Sequence, residues 1–424
     1  MLAEFRVGNF RSFKDEQVLS LLASSEESKG KNSIEIAGHN ILKTVVVYGA
    51  NASGKSNLIK AMACMNSIIC NSAGYKPSDK IPVTPFLFDE NTPLEPSTFE
   101  ATFFIDKVRY QYGFSATKER VHKEWLLAWP IGKEQKWFER DHKESEPYFG
   151  PSLKGQNKSI WSKVKGNSLF LTVAAQWNHE QLSKIYEWFA RKFRELPQQP
   201  LACQITDELF LDQSKPDVNS KHRNLAIRVL KQADFGIDDF EIEPVQAENI
   251  RFPDDMPDEI KKKIAQDITE HPPCRKIIFH CGRTYSLNLE DESDGTQRFY
   301  SLLGPLLQSI ALGYTIFKDE LELNMHPLLT REIVSSICGN EHNNISAQLI
   351  FTTHDTSLLD PELFGRDQVW FTEKDKYGAT QLYSLADYKE AVRKGEAMQK
   401  RYLAGRYGAV PILERFDLVG TKKQ

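Results

Sequence analysis

The chain lacks the features that mark several protein classes. Its 424 residues include six cysteines, Cys64, Cys70, Cys203, Cys274, Cys281 and Cys338, and no C-x-x-C pair. A disulfide framework is not expected in a chain this long, and reduced thiols suit a cytoplasmic protein. Cys274, His280 and Cys281 fall close together, but four ligands at metal spacing are missing, which argues against a zinc site. No run of about 20 apolar residues is present to span a bilayer. The longest, Leu302 to Phe317, is broken by Pro305, Gln308 and Gly313. Glu4, Arg6 and Arg11 fall in a strand-like opening, so no secretory leader is expected. With 54 Lys+Arg against 58 Asp+Glu the net charge is −4, which excludes a chain-wide basic coat for nucleic acid. There is no internal repeat, no low-complexity tract and no sustained heptad, so a long coiled-coil arm is not expected. A 40% hydrophobic content with 11% aromatics excludes wholesale disorder.

What is present has an α/β texture. Phe5, Val7 and Phe10 alternate with polar residues as in a half-buried strand, and Gln17 to Leu22 reads as a second. Ser24 to Asn32 is polar and loop-like. Thr44 to Tyr48 is β-branched and aromatic, a buried strand. From Pro96 to Asp141, the runs Phe99–Phe104, Val108–Phe114 and Val121–Trp129 are separated by turn residues and predict an antiparallel lobe. An apolar run covers Ser168 to Ala175. Leu182, Ile185, Phe189 and Phe193 predict a helix over 180–196. Residues 197–285 are mixed and predict a mainly helical insertion. Beyond them come a helix over 299–313, a strand at 315–317, a helix over 327–337, and strands at 348–352 and 368–371. That alternation predicts a parallel sheet covered by helices.

Gly49-Ala50-Asn51-Ala52-Ser53-Gly54-Lys55-Ser56, followed by Asn57, matches G-x-x-x-x-G-K-[ST] between the buried strand and a helix. Glycines let such a backbone wrap phosphate oxygens, and the helix brings its positive end to them. Lys55 suits β/γ-phosphates, and the Ser56 hydroxyl suits Mg²⁺.

Downstream, Thr315-Ile316-Phe317-Lys318-Asp319-Glu320 is a strand ending in two carboxylates. Alone, such a pair is a solvated strand end. After a phosphate loop, Asp319 suits a metal-orienting role and Glu320 a general base or water-positioner. Lys318 occupies a place that is normally apolar, and its side chain is expected to snorkel outward. Gln348 to Thr352 ends in Thr353-His354-Asp355, which puts His354 where α/β sheets bind ligands. There it suits contact with a γ-phosphate or the attacking water. Ser293-Asp294-Gly295-Thr296-Gln297 precedes a helix: an N-cap, or a second anion site for a nucleotide held by another protomer.

Together these motifs resemble the ABC-type ATPase heads of the SMC and RecF class. More narrowly, the chain resembles compact AAA-type ATPases of bacterial phage-defence and abortive-infection systems, of the RloA, AbiLi, PtuA and AriA types. The narrower resemblance rests on Asn9–Phe13, Gly49–Asn57, Pro85–Asp89, Ser293–Arg298, Asp319–Pro327, Thr352–Asp355 and Tyr407–Pro411. It implies an α/β ABC-type P-loop NTPase head with a mixed sheet, an antiparallel β lobe and a helical insertion. The expected divisions are 1–180, 181–285 and 286–424. It implies ATP and Mg²⁺ as ligands, and two heads packed head-to-tail into a homodimer or higher homo-oligomer. Ser293 and Gly295 then touch the opposite subunit's γ-phosphate, and Asn324 to Pro327 lie at the seam. Gln176 is the candidate for the Mg²⁺-sensing glutamine, and Arg11 is expected near the nucleotide.

The function so implied is an ATP-hydrolysing sensor and gate that controls a partner effector, a nuclease from the same operon, on a phage-derived trigger. The residues after 411 are too few for a nuclease domain, so the effector is expected on another chain. Lys389, Arg393, Lys394, Lys400, Arg401 and Arg406 fall on an expected helix that is either a solvated face or a docking surface for nucleic acid or an acidic partner. Two other readings stay open: a RecF-type DNA-binding maintenance ATPase, and a non-hydrolysing nucleotide-bound scaffold. Glu320 argues against the last.

Overall fold

An antiparallel sheet opens the chain. The computed structural model describes residues 1–24, 32–211, 216–244, 257, 274–338, 346–388 and 398–411. β1 (Leu2–Gly8) pairs with β2 (Gln17–Ser20), and β3 (Ser33–Ile36) with β4 (His39–Leu42). Phe5 and Val7 point inward, as their spacing requires. β5 (Thr44–Gly49) is buried at every residue and feeds α1 (Lys55–Asn71), which buries Leu58, Met62, Met65 and Ile69. β6 (Ser97–Ile105), β7 (Val108–Ala116), β8 (Val121–Trp129), β9 (Gln135–Asp141) and β10 (Tyr148–Phe149) extend the first sheet in the order β10-β9-β8-β7-β6-β1-β2. This is the expected antiparallel lobe.

Three short helices follow, α2 (Asn157–Trp161), α3 (Phe170–Gln176) and α4 (Glu180–Glu187). The expected helix over 180–196 stops early. Trp188–Lys192 forms a wider turn, and β11 (Phe193–Glu195) becomes a strand. The aromatic stripe satisfies tertiary packing instead of one helix face. Phe189 meets Phe103 at 5.2 Å, and Phe193 meets Phe317 at 4.9 Å.

Next come α5 (Leu201–Leu211), α6 (Pro216–Gln232), β12 (Ile237–Pro244), β13 (Cys274–His280), β14 (Tyr285–Asn288) and α7 (Asp294–Leu312). β12, β13 and β14 form an antiparallel sheet, so the described part of the insertion holds strands as well as helices. Pro305 inside α7 leaves the Ser301 carbonyl without its usual helical donor. The buried Thr206 hydroxyl lies 2.9 Å from that carbonyl and accepts from Gly304 N–H at 3.1 Å.

The chain then adds β15 (Thr315–Lys318), α8 (Pro327–Cys338), β16 (Gln348–Thr352), β17 (Val369–Lys374), β18 (Thr380–Ser384) and α9 (Met398–Leu403). The second large sheet runs β11-β15-β16-β5-β17-β18, parallel except for the β17–β18 hairpin. This is the expected mixed sheet. β5 sits between β16 and β17, so the phosphate loop, the acidic strand end and the histidine strand end emerge on one edge.

Two compact units result: Met1–Glu195 with Leu312–Glu322 and Thr330–Gln424, and Leu196–Ala311 with Leu323–Leu329. The expected divisions differ, because β11 carries the first unit to residue 195 and α7 belongs to the second. Lys318 is also corrected. It is 1% exposed, the last residue of β15, paired with Phe351 rather than snorkelling outward. Of the basic C-terminal residues, Lys389, Arg393 and Lys394 lie outside the described residues. Lys400 and Arg401 sit on α9, and Arg406 follows it. Among the described residues no helix is long and apolar enough to cross a membrane.

Candidate active site

Gly49 closes β5 because no side chain fits there. A Cβ on it would lie 2.5 Å from Thr372 O and from Ser53 Oγ. Gly54, at φ 115°, would set a Cβ 2.3 Å from Thr380 Oγ1. Between them Asn51 and Ala52 are exposed, with Ala52 at φ 61°. Ser53 is buried, its hydroxyl 2.7 Å from that of Thr372. The start of α1 has no side-chain cap; Asn57 N–H donates to Gly54 O at 3.0 Å, and the N–H groups of Lys55 and Ser56 at the helix start are placed to face an anion. Ser56 and Asn57 are half-buried on this first turn.

Lys55 is 5% exposed and donates to Gly49 O at 2.7 Å and Ala50 O at 3.0 Å. Burial pulls its pKa below the usual lysine range, opposed by the nearby carboxylates of Asp319, Glu320 and Glu322. The negative charge of three acidic groups is thus felt at one buried ammonium. That excess of negative charge suits a divalent cation.

The acidic turn is laced to the end of β16. Thr352, fully buried, donates to Asp319 Oδ1 at 2.6 Å and accepts from Glu320 N–H at 2.9 Å. Leu321 N–H donates to Thr352 O at 3.2 Å. Glu320 sits at φ 48°, a strained backbone that these bonds hold in place. His354 is exposed, and its N–H donates to Glu322 Oε1 at 2.7 Å.

The turn between β1 and β2 is latched to the same loop. Asn57 Nδ2 donates to Ser12 Oγ at 2.7 Å, and Thr380 Oγ1 lies 2.8 Å from both Ser12 Oγ and Ser53 O. Arg11, at φ 50°, donates its backbone N–H to Thr84 O and is exposed. Its guanidinium lies 5.6 Å from the centre of the Phe10 ring.

The first unit therefore brings together Gly49–Asn57, Asp319, Glu320 and the backbone of His354, with the Arg11 turn beside them. Ser293 and Gly295 belong to the second unit. There Ser293 caps α7, accepting from Thr296 N–H at 3.2 Å, and a Cβ on Gly295 would meet Asn324 O at 3.1 Å. Asn324 adopts φ 60°, and His326 Nδ1 accepts from Leu328 N–H. Gln176 does not join the loop. It is exposed at the end of α3, which Thr172 ties to Ile69 O at 2.7 Å, near the far end of α1. Ile69 stands about 21 Å along the helix axis from Lys55. The apolar run before Gln176 is a helix on the core, not the approach to a phosphate.

Ser12, Glu322, Thr352, Thr372 and Thr380 were not expected at the site. Ser12, Glu322 and Thr352 had a visible signal, as polar residues within Asn9–Phe13, Asp319–Pro327 and Thr352–Asp355. Thr372 and Thr380 lie more than 300 positions from the loop they touch. Among the described residues no three of His, Cys, Asp and Glu are set to hold a metal alone. Mg²⁺ taken up with nucleotide phosphates needs only one or two protein ligands and hence no such cluster.

The family model for the AAA domain named for the AbiEii toxin of Type IV TA systems matches residues 45–360. No curated protein matches the sequence. Three solved SMC heads align weakly. The SMC head domain from Thermotoga maritima is 11% identical, with TM-score 0.39, over 90% of this chain and 98% of that one. The Smc head domain with an extended coiled coil, bound to the C-terminal domain of ScpA derived from Pyrococcus furiosus, is 12% identical, with TM-score 0.42, over 90% and 96%. The SmcHead bound to the C-winged helix domain of ScpA is 9% identical, with TM-score 0.43, over 90% and 97%. Likeness this weak decides nothing further. The match over 45–360 carries the family.

Proposed function

We propose, for a chain that belongs to the AAA-domain family named for the AbiEii toxin, that it binds Mg²⁺–ATP at Gly49–Asn57 and hydrolyses it. Supporting this most strongly is Lys55, buried at the head of α1 and under the charge of Asp319 and Glu320, which Thr352 ties together at the adjacent strand end. Backbone N–H groups of the loop and the Lys55 ammonium hold the β- and γ-phosphates. Ser56 and Asp319 would hold Mg²⁺, which would supply charge neutralisation at those phosphates. Glu320 orients a water and takes its proton as the water oxygen attacks the γ-phosphorus. The bond to the bridging oxygen breaks, giving ADP and phosphate. His354 contacts the γ-phosphate or that water. Arg11 flanks the nucleotide.

We further propose that Ser293 and Gly295 of one copy complete the site of another, so that ATP joins heads into a homodimer or larger homo-oligomer. In this reading the chain is the cytoplasmic gate of a bacterial anti-phage system. Hydrolysis, or a phage-derived or DNA trigger, rearranges the heads and releases or activates an effector nuclease. Phosphate release from wild type, Lys55→Ala and Glu320→Gln tests the core of it. Lys55→Ala should lose nucleotide binding, and Glu320→Gln should retain ATP, stop turning over and gain mass in light scattering. Equal turnover by all three would remove the enzyme.

A further inference from the structure

The acidic turn carries a third carboxylate to which the reaction above gives no task. Glu322 is the last residue of the first unit before Leu323–Leu329. Its Oε1 accepts from the backbone N–H of His354 at 2.7 Å. Its Oε2 is buried without a hydrogen-bond partner. A carboxylate oxygen held dry and unpaired is costly, so its retention points to a use.

His354 stands just past the end of β16, where ladder bonding stops. On one side Thr353 N–H donates to Val47 O at 3.2 Å. On the other, Asp355 N–H donates to Thr353 Oγ1 at 2.9 Å, and Asp355 O accepts from the Tyr48 hydroxyl at 3.0 Å. The neighbours are thus tied to β5 and to each other, while the His354 amide turns to Glu322. A charge-assisted bond to a backbone amide fixes where that Cα, and hence the imidazole, starts.

We infer that Glu322 is a positioning residue for His354, locking the histidine's backbone to the turn that carries Asp319 and Glu320. The inference rests on the ATPase reading. It makes the histidine and the base one unit: any movement of the acidic turn is passed to the imidazole through Glu322. The alternative use of Glu322 is as bulk negative charge that raises the Lys55 pKa.

The two uses separate by substitution. Glu322→Gln keeps an acceptor oxygen and loses the charge, whereas Glu322→Ala loses both. For Glu322→Ala, kcat should fall on the order of 10- to 100-fold with KM for ATP within about twofold. Glu322→Gln, which keeps the acceptor oxygen for the His354 N–H, should turn over clearly faster than Glu322→Ala. Glu322→Ala combined with His354→Ala should be no slower than His354→Ala alone, because both changes remove one device. Hydrogen exchange read without turnover should show the amide at position 354 faster in Glu322→Ala and unchanged in Glu322→Gln. A Gln variant as slow as the Ala variant, multiplicative losses in the double variant, or unchanged exchange overturns the inference. An inactive wild type would instead remove the ATPase reading, and the exchange result would still decide whether Glu322 holds His354.

Discussion

Replacing Thr352 by valine tests the site at its most buried point. Valine has nearly the same shape, so packing at this fully buried position survives. Two hydrogen bonds do not: the 2.6 Å bond given to Asp319 Oδ1 and the 2.9 Å bond accepted from Glu320 N–H. Losing a bond to a charged group costs about 1.5–3 kcal/mol, and orphaning a buried N–H about 1–3 kcal/mol. Burying a methyl in place of the hydroxyl returns about 0.8 kcal/mol. Asp319 and Glu320 are half-buried, so water can replace part of what is lost, and the lower part of the range applies. The expected net is about 2–3 kcal/mol. Some of it will appear as disorder at Glu320, whose left-handed backbone already costs about 1–2 kcal/mol, rather than as global unfolding. If the whole of it falls on the transition state, turnover drops roughly 30- to 150-fold. The measurements are equilibrium urea unfolding and steady-state phosphate release, with Thr352→Ser as the control that keeps the hydroxyl. A valine variant as stable and as fast as the serine variant would refute the reasoning.

Gly54→Ala should lower ATP affinity by at least about tenfold, because a Cβ at φ 115° and 2.3 Å from Thr380 Oγ1 forces the loop to shift; isothermal titration with a non-hydrolysable analogue reads it, and unchanged affinity counts against the loop geometry. The Glu320→Gln variant described above should also hold ATP through gel filtration, and rapid loss of the nucleotide would argue against Glu320 as the base. A pH effect follows from His179, whose Nδ1 caps α4 by accepting from Leu182 N–H at 3.3 Å. Burial pulls its pKa below 6.5, so the unfolded chain takes up the proton first as pH falls. The stabilisation is complete above pH 6.5 and is lost as pH drops through the folded value. The urea midpoint should therefore fall more between pH 7.5 and 5.5 for wild type than for His179→Asn, which keeps a capping acceptor without titrating; identical falls would exclude the cap's role.

Much was legible in order along the chain. The phosphate loop, the strand before it and the helix after it follow from glycine spacing, a β-branched run and apolar periodicity, all local signals. The strands of the antiparallel lobe and β16 fall where their turn residues and apolar runs put them. The helix over 180–196 ends early because the four-residue spacing of Phe189 and Phe193 also suits packing onto Phe103 and Phe317, which no local pattern encodes. The insertion's β-sheet was hidden by its charged and proline-containing texture. Gln176 follows an apolar run, and an apolar run does not say which end of a neighbouring helix it approaches.

By itself the sequence determined which chemistry the chain carries: a loop able to wrap phosphates, two carboxylates at a strand end and a histidine at another. Only the tertiary structure decided that these meet, since parallel pairing of β15, β16 and β5 brings residues some 300 positions apart to one sheet edge. It alone decided that Thr352 binds the acidic turn, that Thr380 backs the loop and that Glu322 holds His354. Hydrogen bonds between distant strand ends depend on register, and register is set by the sheet as a whole.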